Sequence, residues 1–198
     1  MSETAASRAC RPGRRTGVGG LGLVLALALA APAGAEAPGD DGRRILAVGL
    51  LAHDRGPASD ETEDGGVDLS LEVLFAPLDL PGSPRPHLGA TLNFDGETSA
   101  AYAGLTARAF ERSRWFADLF LGAAVHDGPL HKDPLACDVD SDCGFGVRVL
   151  PRFGLEAGYR IGPDAALTVY LDHMSHKWLI GGENEGLDHT GVRYLRYY

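Results

Sequence analysis

The stretch 145–161, FGVRVLPRFGLEAGYRI, alternates from end to end. Its odd positions are Phe145, Val147, Val149, Pro151, Phe153, Leu155, Ala157, Tyr159 and Ile161, while the even ones include Arg148, Arg152, Glu156 and Arg160. Successive side chains of a strand point to opposite faces, so this segment has one uniformly apolar face and one charged face. A soluble β-sandwich also alternates, because each of its strands hides one face in a core. Here the charges recur along a single strand and the opposite face ends in aromatic residues, which suits a polar lumen inside a lipid-facing band with aromatic girdles.

Outward from this stretch the pattern repeats. Trp115, Ala117, Leu119, Leu121, Ala123 and Val125 oppose Asp118, Gly122 and His126; Val67, Leu69, Leu71, Val73 and Phe75 oppose Asp68, Ser70 and Glu72. Adding 45–52, 88–94, 101–110, 165–175 and 188–198 gives eight strands, with no sustained helical period between them. The expected fold is all-β: an eight-stranded antiparallel transmembrane β-barrel of the outer-membrane type. An even count puts both ends in the periplasm, and the chain closes on Tyr194, Tyr197 and Tyr198. Outer-membrane barrels keep short turns inside and long loops outside, so 53–66, 95–98, 126–144 and 177–187 are the expected external loops.

Ahead of the strands, Arg8, Arg11, Arg14 and Arg15 precede an apolar run from Val18 to Ala31 and the triplet Ala33-Gly34-Ala35. That is the layout of a secretory signal peptide, and the run is short of the roughly 20 residues a spanning helix needs. Residues 1–35 are therefore expected to be a cleaved leader and 36–198 the barrel domain, exported to the outer membrane. The leader carries a net +3, so its removal takes the net charge from −9 to −12. Nucleic acid selects basic surfaces and is excluded as a partner. Cys137 and Cys143 remain, at a spacing that favours a local disulfide in an exported loop.

Parity also locates candidate chemistry. On 165–175 the lipid-facing odd positions Leu167, Val169 and Leu171 are followed by His173 and Ser175, and Asp188 shares the outward parity of Val192 and Tyr194. Three polar residues thus converge near the outer rim: Ser175 a nucleophile, His173 its base, Asp188 the acid that holds the imidazole tautomer. Such polar groups are also what the lipid–water boundary selects without any chemistry. A basic residue on the lipid face costs about 2–4 kcal/mol at mid-bilayer but about 0–1 at the interface, so the rim tolerates the set. Glu183 and Glu185 are alternative acids. A metal site built from His173, His176 and Asp188 is disfavoured by the opposite facing of His176; neither metal nor cofactor is expected.

The stretch Asp172-His173-Met174-Ser175, with 184–188 (NEGLD) and 191–194 (GVRY), resembles the C-terminal signature of the lipid A 3-O-deacylase (PagL-type) family. Segments 120–128 (FLGAAVHDG) and 148–160 (RVLPRFGLEAGYR) are similar too. The resemblance implies an eight-stranded outer-membrane barrel whose catalytic triad falls on His173, Ser175 and Asp188. It implies an esterase acting on lipid A, or lipopolysaccharide, among outer-membrane lipids, and leaves the oligomeric state open, a homodimer included. His176 stands where family members commonly carry Asn, and some members have Glu in place of Asp188. Leu171 and Val192 are expected to line an acyl groove. Lys177 and His176 join them as substrate contacts, and Arg193 is a weaker candidate because of its inward parity. The alternative is a non-catalytic small barrel with a structural or partner-binding role.

Overall fold

The computed structural model describes residues 42–58, 63, 65–130, 144–176 and 186–198. The expected leader, both loop cysteines, Lys177, Glu183 and Glu185 lie outside the described residues. Eight strands follow in order: β1 (Ile45–His53), β2 (Val67–Leu74), β3 (Arg85–Asn93), β4 (Ala100–Arg112), β5 (Trp115–His126), β6 (Val149–Gly162), β7 (Ala165–Met174) and β8 (Leu187–Tyr197). Each pairs antiparallel with the next, and β1 also pairs with β8 from Ile45↔Tyr197 to His53↔His189, closing the barrel. Closure matters because an open sheet edge would leave backbone polar groups facing hydrocarbon.

The distribution of side chains is that of a membrane barrel. Leu50, Leu119, Leu121, Leu167 and Val192 are exposed on the outer wall, whereas Glu72, Arg152, Glu156, Asp172 and Arg193 are buried inside it. A soluble sandwich would reverse this and is thereby excluded. Inside, Arg193 bridges Glu72 at 3.0 Å and Glu156 at 2.6 Å, and Arg152 pairs with Asp172 at 2.6 Å while lying 3.5 Å from the centre of the Tyr102 ring. Apolar clusters cap this charged middle. Ile45, Leu74, Phe116, Leu195 and Tyr197 fill the end with short turns, and Ala100, Tyr102, Phe145, Leu150, Met174 and Leu187 fill the end with long loops.

Removing one member of a buried pair leaves its partner's charge uncompensated, a loss of about 3–5 kcal/mol. Glu156 accepts from Arg193 Nε and Nη2 and from the Thr168 hydroxyl. Glu156→Ala is therefore expected to lower stability by about that amount, read as an earlier midpoint in urea unfolding of the detergent-refolded barrel.

Three expectations need correction. The strand expected from Phe145 begins only at Val149, because Gly144 and Gly146 take positive φ and turn the chain away from the wall. Phe145 is consequently buried in the mouth against His126, at 4.5 Å between ring centres, and does not face lipid. Arg148 precedes the strand and is exposed rather than luminal, its guanidinium donating to the carbonyls of His126 and Gly128. The long turn 75–84 also has its own scaffold. Leu78 donates to Pro84 and Ser83 to Leu80, Gly82 and Ser83 take positive φ, and Arg85 ties the Phe75 carbonyl at 2.8 Å.

Candidate active site

β7 and β8 hold His173 and Asp188 directly opposite each other in register. This pairing places two side chains of equal parity side by side on the outer wall. His173 Nδ1 lies 2.5 Å from Asp188 Oδ1. A carboxylate at Nδ1 fixes the tautomer with the proton on that nitrogen and leaves Nε2 as the basic atom. The imidazole is partly exposed and tilts against Phe153, its cross-strand neighbour on β6, at 5.4 Å between ring centres. Gly186 takes φ +70 and lies against the same ring, where an added Cβ would stand 2.8 Å from His173 Cε1.

Ser175 follows β7 by one residue. Its N–H donates to the Pro151 carbonyl at 3.1 Å, so pairing with β6 persists past Met174 and the alternation carries on. Ser175 is half-buried and shares the side of the strand with His173, two residues back, a spacing of about 6–7 Å along the backbone. Below them the wall is apolar. Leu171 stands against Leu155, Val169 against Val192 and Leu167 against Tyr194, a strip leading from the rim into the hydrocarbon.

Asp188 has outward parity yet is fully buried, and the cover comes from the β1–β2 loop. Ala58 N–H donates to Asp188 Oδ2 at 2.7 Å, and Arg55 N–H donates to the Asp188 carbonyl at 3.2 Å. Gly56 sits so close that a Cβ there would collide with the carboxylate. Both oxygens are thus spoken for: one holds the imidazole, the other is anchored by a loop some 130 residues away in sequence. Sequence reasoning missed Arg55, Gly56 and Ala58; the Gly56-Pro57 dipeptide marks a turn but not its destination. Gly56→Ala is expected to push the carboxylate from its place and, since a shift of about 1 Å can cost about 100-fold, to lower turnover by that order with the barrel intact. Steady-state rates alongside heat-modified gel mobility would check it.

Comparisons with known proteins identify the family and the fold. The family model of lipid A 3-O-deacylase (PagL) matches residues 54–196. The chain belongs to the PagL family. Its barrel is similar to the crystal structure of the outer membrane enzyme PagL, with a TM-score of 0.54 at 13% identity over 77% of this chain and 98% of that one. It is also similar to Neisserial surface protein A, with a TM-score of 0.50 at 14% identity over 79% and 97% of the two chains. No curated protein matches in sequence. As a PagL-family member the chain is an outer-membrane barrel of a family of hydrolases that act on lipid A.

The other expected contacts divide. Leu171 and Val192 lie on the apolar strip, Val192 exposed and Leu171 half-buried. His176 is corrected: it is buried, with Nε2 2.9 Å from the Phe145 carbonyl, because the alternation after Ser175 turns it inward. Arg193 is corrected as well, since its guanidinium is committed to Glu72 and Glu156 in the lumen.

Proposed function

We propose that this chain is an esterase that removes the 3-O-linked hydroxyacyl chain of lipid A in the outer leaflet, with Ser175, His173 and Asp188 as its triad. The observation that supports it most is the 2.5 Å contact of His173 Nδ1 with a buried, doubly held carboxylate on the lipid-facing wall. A mere interface histidine gains nothing from an acid anchored in this way. In the scheme, Ser175 Oγ attacks the ester carbonyl carbon as its proton passes to His173 Nε2. Collapse of the tetrahedral intermediate breaks the bond to the sugar oxygen, which takes that proton and leaves as the alcohol. Water then repeats the sequence and releases the fatty acid. No metal is needed.

Lipid A reaches the rim sideways within the leaflet, its acyl chain against Leu171, Val169 and Val192. Lys177 is retained as a candidate partner for its phosphates, and exposed Arg55, whose backbone holds the Asp188 carbonyl, adds a second cation at the rim. Residues 1–35 serve export, and cleavage after Ala35 leaves 36–198 as the working domain.

The experiment is mass spectrometry of lipid A incubated with membranes carrying the protein. Loss of one hydroxyacyl group, at the 3-O position by fragmentation, is the expected result. An unchanged spectrum from folded protein would instead favour a non-catalytic barrel, and release from another position would refute the assigned ester.

A further inference from the structure

We propose that His53, Asp68 and His189 bind one divalent transition-metal ion of the zinc class inside the outer mouth of the barrel, on the opposite side of the wall from the triad. The three residues come from β1, β2 and β8, the strands at the seam where the barrel closes, and all are fully buried. Asp68 Oδ2 lies 2.8 Å from His53 Nδ1 and 3.1 Å from His189 Nε2, and the three donor atoms all lie within 4.8 Å of one another. Tetrahedral bonds of about 2.0–2.1 Å set donor atoms about 3.3 Å apart, so the two contacts to Asp68 need open by only a few tenths of an ångström to admit the ion.

The surroundings carry the inference further than proximity alone. Each polar atom of the three side chains that does not face the others is already held. His53 Nε2 meets Glu63 Oε2 at 2.5 Å, His189 Nδ1 meets Asp172 Oδ1 at 2.8 Å, and Asp68 Oδ1 accepts from Asn93 Nδ2 at 2.8 Å. The carboxylates are supported in turn: Thr98 donates to Glu63, and Arg152 to Asp172.

Metal-binding histidines typically give their second N–H to a carboxylate, which fixes the tautomer and leaves the first nitrogen as the ligand. Both imidazoles here have that partner, leaving His53 Nδ1 and His189 Nε2 facing one oxygen of Asp68. His189 Nε2, although 3.1 Å from that oxygen, makes no hydrogen bond. Buried polar atoms are seldom left so, and an ion shared by the three donors would satisfy it. Two imidazoles and one carboxylate suit zinc over calcium or magnesium, which favour oxygen ligands, and the fourth tetrahedral position falls to water. The ion would staple three strands at the seam one residue from Asp188. It is a structural site, independent of the esterase reading.

The test uses the detergent-refolded barrel, stripped with EDTA, dialysed against zinc alone and assayed for bound metal and thermal melting. One zinc per barrel with a raised melting temperature is expected, and X-ray absorption of the loaded wild type should show two imidazole nitrogens and no sulfur. Glu63→Gln, which alters only the outer support, should weaken zinc binding by about 10–100-fold without loss of heat-modifiable mobility. Absence of stoichiometric zinc on the wild type, or sulfur in its shell, or equal affinity in Glu63→Gln, would overturn the site.

Discussion

Ser175→Ala is expected to lower lipid A deacylation by about 10⁴–10⁶-fold while the barrel folds and migrates as the wild type does. The size follows from what is removed. Without Oγ there is no acyl-enzyme, and water must attack unaided by a positioned nucleophile. What persists is the weak rate due to substrate placement on the rim. Alanine keeps the backbone N–H contact to the Pro151 carbonyl that continues the pairing with β6. Timed mass spectra of lipid A, with heat-modified gel mobility as the folding control, measure both halves. A variant that retains more than a small fraction of the wild-type rate would remove Ser175 from the chemistry.

Asp188→Asn should cost about 10⁴-fold, although the two side chains have nearly the same shape. The carboxylate accepts twice, from the His173 imidazole through Oδ1 and from Ala58 N–H through Oδ2. An amide can accept at only one of those positions. If its oxygen takes Ala58 N–H, its NH₂ faces His173 Nδ1; the imidazole proton then moves to Nε2, the nitrogen needed to receive the serine proton. If its oxygen faces His173 instead, the NH₂ meets the Ala58 N–H, two donors in a buried contact, and the loop over the acid is loosened. Both arrangements suppress turnover. Asp188→Glu keeps two acceptors and should retain more activity than Asp188→Asn, so comparing kcat for the pair separates loss of acceptor from loss of fit.

Alternation made the wall legible from sequence, because a period of two survives any error in strand ends. Leu167, Val169, Val192 and the buried Glu156 and Arg193 all fall on the faces their parity assigns. The outward parity of His173 and Asp188 was legible for the same reason. Their direct opposition was not, since register depends on the loop between the strands, and neither was the burial of Asp188, since its cover arrives from β1–β2. Phe145 misled because alternation continues through Gly144 and Gly146, where the backbone has already left the sheet. The His53–Asp68–His189 cluster escaped notice because it forms only when the first strand meets the last.

The apolar clusters that cap the charged middle of the lumen have an electrical consequence. Among the described residues, Phe116 with Ile45 and Leu195 at one end, and Phe145 with Leu150 and Met174 at the other, form buried apolar clusters inside the barrel. Reconstituted in a planar bilayer, such a cylinder should add no measurable conductance. It can therefore work on the leaflet around it without opening a leak in the permeability barrier to which that leaflet belongs.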